Sequence, residues 1–107
     1  MGQPHTVGIW RTKPGREDDF IAAWREMATW TTDDVGEIGG GRLLQDQNDP
    51  TRFYSFGSWS SNEAIAAWRA LPGFKQHLAG MDGLLEDFKT ETLELRAEVG
   101  DLCTTPG

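Results

Sequence analysis

The segment 52–60 of this sequence places large apolar side chains on both faces of one predicted strand. Its alternation puts Phe53 and Trp59 on one face and Tyr54 and Phe56 on the other. Helices that cover one side of a small sheet would leave the second set in water, and exposed apolar surface of this kind marks an interface. We therefore expect a second copy of the chain to cover the other face.

The rest of the chain alternates between strand and helix periodicity, which predicts an α+β fold. The predicted strands are 6–12, 42–47, 52–60 and 86–99, and the predicted helices are 16–31, 62–71 and 74–85. With 107 residues, the chain is expected to form a single domain. We assign residues 6–99 to this domain and expect residues 1–5 and 100–107 to be a flexible N-terminus and a flexible tail.

A five-residue repeat supports this arrangement. The sequence Ile-Ala-Ala-Trp-Arg occurs at 21–25 and again at 65–69, each time on a predicted helix that follows a strand. The two halves of a split β-α-β fold are related by a pseudo-two-fold axis, so equivalent helices meet similar packing demands on one sheet. We interpret the repeat as structural.

Charge and cysteine content argue against several kinds of partner. The chain has 10 Lys and Arg residues against 17 Asp and Glu residues and a formal net charge of −7, with no basic cluster, so nucleic acid and anionic membranes are not expected as partners. No apolar run reaches the length of a membrane span. The single Cys103 cannot form an intramolecular disulfide, and we expect a cytoplasmic protein.

Neither a metal site nor a phosphate loop is indicated. His5 and His77 lie far apart in the sequence, and no His-x3-His or Cys-x2-Cys pair is present, so zinc is not predicted. The glycine-rich stretch 36–41 leads into a strand and not into a helix. It therefore predicts a tight turn before the second strand, since a phosphate loop needs a helix N-terminus behind it.

One histidine is placed where it could act. His77 falls on the apolar stripe of the third predicted helix, together with Phe74 and Met81. If the second and third helices form one layer over the sheet, Trp68, Phe74 and His77 border one hollow with Trp59 beneath it. A histidine in such a place packs in or beside a core more often than it takes part in catalysis, so both interpretations stay open.

Several short motifs resemble the antibiotic biosynthesis monooxygenase (ABM) family. They are Val-Gly-Ile-Trp at 7–10, Lys-Pro-Gly at 13–15, Gly-Gly-Arg-Leu-Leu-Gln-Asp at 40–46, Asp-Pro-Thr-Arg-Phe at 49–53 and Ser-Trp-Ser-Ser-Asn-Glu-Ala at 58–64. The resemblance covers about residues 6–99. It implies a ferredoxin-like subunit that pairs through its sheet into a dimeric α/β barrel. This agrees with the large apolar side chains on both faces of the predicted strand 52–60.

One branch of the family oxidises polyketides with an Asn, a Trp and a Tyr near the last of these motifs. Trp59 matches the Trp, while Ser55 and Ile65 stand at the other two positions. Resemblance to this branch implies a cofactor-independent monooxygenase that oxidises a flat phenol or quinol with O2. Trp59 and Trp68 would then act in catalysis, and His77 would take the phenolic proton. The expected substrate-binding residues are Phe74, Trp24, Phe56 and Met81.

Two alternatives stay open. Haem-degrading members of the family use an Asn on the first strand and a Trp and His pair on the helices. Trp68 and His77 match this pair, while Gly8 stands at the Asn position. In this alternative haem is the cofactor and His77 its axial ligand. A third hypothesis is a non-catalytic dimeric module that binds a hydrophobic small molecule.

Overall fold

The computed structural model describes residues 2–100 and shows a four-stranded antiparallel sheet with helices packed on one face. The strands are β1 (Pro4–Thr12), β2 (Ile38–Gln45), β3 (Arg52–Trp59) and β4 (Leu85–Glu94), and the helices are α1 (Glu17–Trp30), α2 (Asn62–Ala70) and α3 (Pro72–Asp82). A π-helical turn (Thr31–Val35) follows α1. The strand order β2-β3-β1-β4 is that of a ferredoxin-like fold, so the predicted α+β class is confirmed.

The last strand is shorter than its sequence pattern predicts. β4 stops at Glu94, whereas the alternation of apolar residues predicts a strand to residue 99. β4 pairs only with β1, whose first residue, Pro4, lies opposite Glu94. One further hydrogen bond, from the Leu95 N–H to the Gln3 carbonyl, ends the ladder because no partner strand continues beyond it.

The N-terminal end of the domain differs from its predicted bounds. β1 begins at Pro4, so the expectation of a flexible segment 1–5 is wrong for Pro4 and His5, which pair with β4. The predicted flexible tail lies outside the described residues, except for Gly100. The expectations for Cys103 lie outside them as well.

Residues 38–41 of the predicted glycine-rich turn belong to β2, and only Gly36 and Glu37 precede the strand. Ile38 pairs with Trp59 and Gly41 pairs with Gly57, so three steps along β2 match two steps along β3. The extra residue forms a β-bulge, and Gly40 adopts φ +123°, which glycine tolerates and other residues do not. Side-chain alternation could not reveal this strand because glycine has no side chain.

Local signals fix the helix ends. Ser61 caps α2, since its Oγ accepts a hydrogen bond from the Ala64 N–H at 3.1 Å. Leu71 has an extended backbone that ends α2, and Pro72 follows directly in the first turn of α3, a favoured position for proline. α3 therefore begins two residues before the predicted start and ends at Asp82.

Within residues 2–100, no helix is long and apolar enough to cross a membrane.

The turn between β2 and β3 is held by two carboxylates, of which Asp46 accepts hydrogen bonds from the Asn48 and Asp49 N–H groups. Asp49 accepts hydrogen bonds from the Thr51 hydroxyl at 2.7 Å and from the Thr51 N–H at 3.1 Å. These bonds, with a smaller effect of Arg11 and Arg52, lower the pKa of Asp49 below its ordinary value. The turn sets the pairing of the two strands that border the cavity described below.

The helices bury one face of the sheet. The main core cluster comprises Trp10, Phe20, Met27, Phe53, Met81 and Leu84. A second, smaller cluster beneath α2 comprises Trp59, Ala64 and Ile65. Phe53 and Trp59 therefore share the buried face of β3, as their alternation predicts.

The opposite face of the sheet carries exposed apolar side chains. Phe56 is 40% exposed, Leu44 53% and Leu93 49%. Register places Phe56 opposite Val7 of β1, and Leu44 opposite Tyr54 of β3. We call this surface the open sheet face. The exposure of these side chains agrees with the prediction that β3 carries large apolar side chains on both faces.

Candidate functional site

A largely apolar cavity lies between the helices and the sheet. Its interior volume is about 80 Å³. Aromatic residues that line it are Trp10, Trp24, Trp68, Phe74 and Phe88, and Phe56 borders it along β3. Polar side chains in its lining belong to Thr6, Thr31, Ser55, Arg69 and Thr90. We call this space the aromatic cavity.

Two indoles of the aromatic cavity are fixed by hydroxyl groups in the same wall. Trp10 Nε1 donates to Ser55 Oγ at 2.9 Å, and Trp68 Nε1 donates to Thr31 Oγ1 at 3.1 Å. The Thr31 hydroxyl in turn donates to the Met27 carbonyl at 2.8 Å. The Ser55 hydroxyl has no acceptor for its own hydrogen among residues 2–100, so it is able to donate to a ligand.

Trp59 lies behind the wall of the aromatic cavity. Its side chain is fully buried, and its Nε1 donates to Thr6 Oγ1 at 3.1 Å. Its ring centroid lies 4.8 Å from that of Trp68, which lies 4.6 Å from Phe74 in an edge-on contact. Trp59 thus supports Trp68 from behind but is not part of the lining.

The structure brings some of the predicted substrate-binding residues together and separates others. Trp68, Phe74 and Trp24 line the aromatic cavity. Phe56 borders it along β3, but strand alternation directs its side chain to the open sheet face. Met81 is fully buried in the main core and is not part of the lining.

His77 does not lie in the hollow predicted for it. Its ring packs against Trp30 of α1, with ring centroids 5.1 Å apart, and it is absent from the lining of the aromatic cavity. Three residues along an α-helix correspond to a rotation of about 60° from the starting position. This rotation separates His77 from Phe74 and places it at the contact with α1.

The charge of the cavity comes from Arg69, which is not among the site residues predicted from the sequence. Arg69 contributes to the lining, and its Nη2 donates to Thr92 Oγ1 at 3.4 Å. Among residues 2–100, no Asp, Glu or His side chain contributes to the lining. The repeat at 65–69 contained the signal for Arg69, because it places an Arg directly after a Trp that faces the cavity.

Gly8 leaves no room for a side chain in the floor of the cavity. A Cβ at this position would lie 2.5 Å from Ser55 Oγ and 2.6 Å from Trp10 Nε1. The hydrogen-bonded pair of Trp10 and Ser55 thus occupies the space into which a residue at position 8 would project. An asparagine, as expected in the haem-degrading branch, does not fit here without displacing that pair.

Solved structures similar to this one span nearly the whole chain. SnoaB from Streptomyces nogalater, a cofactor-independent oxygenase crystallised as a mutant, has a TM-score of 0.85 at 15% identity and covers 94% of this chain and 100% of its own. A candidate antibiotic biosynthesis monooxygenase from Nitrosomonas europaea has a TM-score of 0.81 at 17% identity and covers 94% of this chain and 97% of its own. Another, from Chloroflexus aurantiacus J-10-fl, has a TM-score of 0.75 at 22% identity and covers 92% of this chain and 97% of its own. These likenesses show the fold. No curated protein matches the chain.

A family model matches most of the chain. The model of antibiotic biosynthesis monooxygenases matches residues 5–80, which include β1, β2, β3 and nearly all of the three helices. The matched range contains both copies of the five-residue repeat Ile-Ala-Ala-Trp-Arg and most residues that line the aromatic cavity. The chain therefore belongs to the antibiotic biosynthesis monooxygenase family.

Proposed function

We propose that the protein is a cofactor-independent monooxygenase that oxidises a flat aromatic phenol or quinol with O2. The aromatic cavity is the observation that carries this proposal. Indole and phenyl rings in its lining offer stacking surfaces to a planar ring and exclude water from it. Family membership supports an oxygenase in general, and the chemistry of the lining supports the class of substrate.

The reaction proposed here uses the substrate as its own reductant. For an anthrone-type substrate, loss of a proton from the ring CH2 gives a carbanion that is delocalised over the rings. One electron passes to O2, and the two radicals combine to form a C–O bond. After the peroxide takes up a proton, loss of water leaves a carbonyl, so that CH2 and O2 give C=O and H2O.

The residues of the cavity suggest how the substrate anion is held. Trp68 and Phe74 would stack on the ring, with Trp59 holding Trp68 in place. Arg69 is the cation in the lining and would stabilise the negative charge, and the Ser55 hydroxyl would donate to an oxygen of the ligand. The role of His77 as proton acceptor stays a prediction that requires its ring to leave Trp30.

Oxygen uptake tests the proposal. With a panel of anthrones, naphthols and quinols, we expect dissolved O2 to be consumed with at least one substrate. Trp68→Phe should lower kcat/KM roughly tenfold because it removes stacking area and the bond to Thr31. Trp30→Phe, a matched change outside the lining, should leave kcat/KM within about twofold. A panel that yields no uptake would refute the oxygenase.

One observation favours a second candidate function. No Asp, Glu or His side chain in the described part of the chain lines the aromatic cavity, so the described lining offers no ordinary acid or base. A dimeric module that binds a hydrophobic small molecule without converting it needs none. Binding of the panel compounds without any O2 uptake would identify the protein as such a module.

Haem does not fit the residues of the aromatic cavity. A haem iron needs an axial ligand, and no histidine contributes to the lining. His77 packs on Trp30, and Gly8 has no space for the Asn of the haem-degrading branch. Within residues 2–100, no group of three or more His, Cys, Asp or Glu side chains is placed to hold a metal ion.

Hemin titration checks this conclusion. We expect no sharp Soret band that depends on His77, because its ring would first have to leave Trp30. The spectra of the His77→Ala variant and of His5→Ala, which changes a histidine on β1, should therefore match that of the unaltered protein. A sharp band that disappears in His77→Ala and persists in His5→Ala would contradict this and favour haem binding.

We also propose that two copies of the chain pair through the open sheet face to form a homodimer. Phe56, Leu44 and Leu93 expose apolar surface there, and a helix covers only the other side of the sheet. A symmetric pair would bury the same patch on both copies, which a closed two-fold assembly requires.

The predicted cytoplasmic location also stays a proposal.

A further inference from the structure

A second cavity lies beside the aromatic cavity and differs from it in chemistry. Its volume is about 290 Å³, and it is lined by Ile21, Trp24, Arg25, Leu43, Gln45 and Phe53. Trp24 is the residue that lines both cavities. We call this second space the arginine cavity.

The two cavities follow each other along the paired strands β2 and β3. Gly41 and its partner Gly57 line the aromatic cavity, whereas Leu43, two residues further along β2, lines the arginine cavity. The ring of Trp24 reaches β2 close to Gly41, where a Cβ would lie 3.6 Å from Trp24 Cη2. The indole of Trp24 is therefore a wall between two spaces that lie end to end.

This wall is held less firmly than the other walls of the aromatic cavity. The indole N–H groups of Trp10 and Trp68 each donate to a hydroxyl. That of Trp24 has no acceptor within the described part of the chain, and its side chain is only partly buried. A ring held by apolar contacts alone is able to change rotamer when a ligand presses on it.

The arginine cavity offers a cation and an amide at its wall. Arg25 is exposed and forms no ion pair within residues 2–100. Gln45 is held in place because its Nε2 donates to the Pro50 carbonyl at 2.9 Å. A guanidinium binds a carboxylate through two parallel hydrogen bonds, more specifically than it binds a neutral group.

The five-residue repeat at 21–25 and 65–69 contributes residues to both cavities. Trp24 and Trp68 occupy the same place in the two copies of the repeat, and both line the aromatic cavity. The arginine that follows each tryptophan lines a different space, Arg69 the aromatic cavity and Arg25 the arginine cavity. The repeat thus supplies one guanidinium to each cavity.

We propose that the arginine cavity is a subsite for a carboxylate carried on a side arm of the aromatic ligand. The ring lies in the aromatic cavity, the arm passes the displaced indole of Trp24, and Arg25 binds the carboxylate. This inference rests on the proposed function because it requires an aromatic ligand in the aromatic cavity. It narrows the substrate class from flat phenols and quinols to those that bear one acidic arm.

A matched pair of fluorescent probes tests the subsite. The compounds 3-(9-anthryl)propanoic acid and 3-(9-anthryl)propan-1-ol share ring and chain length and differ in the carboxylate. By fluorescence titration we expect the acid to bind about tenfold more tightly than the alcohol, the size of effect typical of a hydrogen-bonded charge pair. Arg25→Gln should abolish this preference, with the affinity for the alcohol unchanged.

The control variant removes a positive charge from Arg16, which directly precedes α1. Arg16 pairs with Asp19 at 2.9 Å and lines neither cavity, so Arg16→Gln should keep the preference for the acid. Equal affinity for acid and alcohol in the unaltered protein, failure to bind either probe, or a preference that survives Arg25→Gln would each overturn the proposal. Because these are binding measurements, a preference that depends on Arg25 stands even if no O2 is consumed, and the oxygenase proposal then fails alone.

Discussion

Replacement of Trp59 by alanine is expected to lower the free energy of unfolding by about 3–5 kcal/mol, as for other large aromatic side chains removed from a core. Trp59 is fully buried and packs with Ala64 and Ile65 under α2. Its indole also contacts Trp68 and donates to Thr6. The change removes these contacts together and leaves a cavity where α2 meets the sheet.

Chemical denaturation followed by circular dichroism measures this loss. Trp59→Phe serves as the matched control, because it keeps most of the ring contacts and removes the hydrogen bond to Thr6. It should cost roughly 1–2 kcal/mol, the usual penalty for a lost buried hydrogen bond with a small change in volume. If Trp59→Ala lost less than the phenylalanine variant, the support that we assign to this residue would be wrong.

The second large effect concerns the open sheet face. Phe56→Glu is expected to convert the proposed homodimer into a monomer at micromolar concentration. In the dimer the new carboxylate would be buried against the partner, and burial of an insufficiently paired charge costs several kcal/mol. The dimer dissociation constant should therefore rise by roughly a hundredfold or more.

Light scattering at several protein concentrations separates the two states. Ala66→Glu adds the same charge at an exposed position of α2, away from the open sheet face, and should leave the dimer intact. The unfolding midpoint of both variants reports whether the subunit itself stays folded. An unaltered protein that is monomeric in the micromolar range, or a Phe56→Glu variant that stays dimeric, contradicts the proposed assembly.

The order of elements could be predicted from the sequence because it depends on local periodicity. Segment 52–60 alternates, and the helices carry apolar stripes, so β3, α1 and α2 lie close to their predicted bounds. The bounds of β2 and β4 depend instead on pairing with a distant strand. Where β4 ends is set by Pro4, which no local pattern near residue 94 contains.

The site was predictable in its aromatic part and not in its polar part. The stripes of α2 and α3 place Trp68 and Phe74 on the faces that the cavity needs. A stripe gives the face of a helix but not its neighbour, so it could not show that His77 packs on α1 instead of facing the sheet. Ser55 and Arg69 enter the site only through tertiary contacts.

The central place of β1 has a consequence for how the chain folds. β1 is the first strand to be made, yet it lies between β3 and β4, and its partner on one side ends at Glu94. Contacts between residues so far apart in the sequence cost loop-closure entropy before they stabilise anything, which slows folding. During synthesis, Trp10 and the rest of β1 stay without one flanking strand until β4 has left the ribosome. We therefore expect the domain to complete its fold only after β4 has been synthesised.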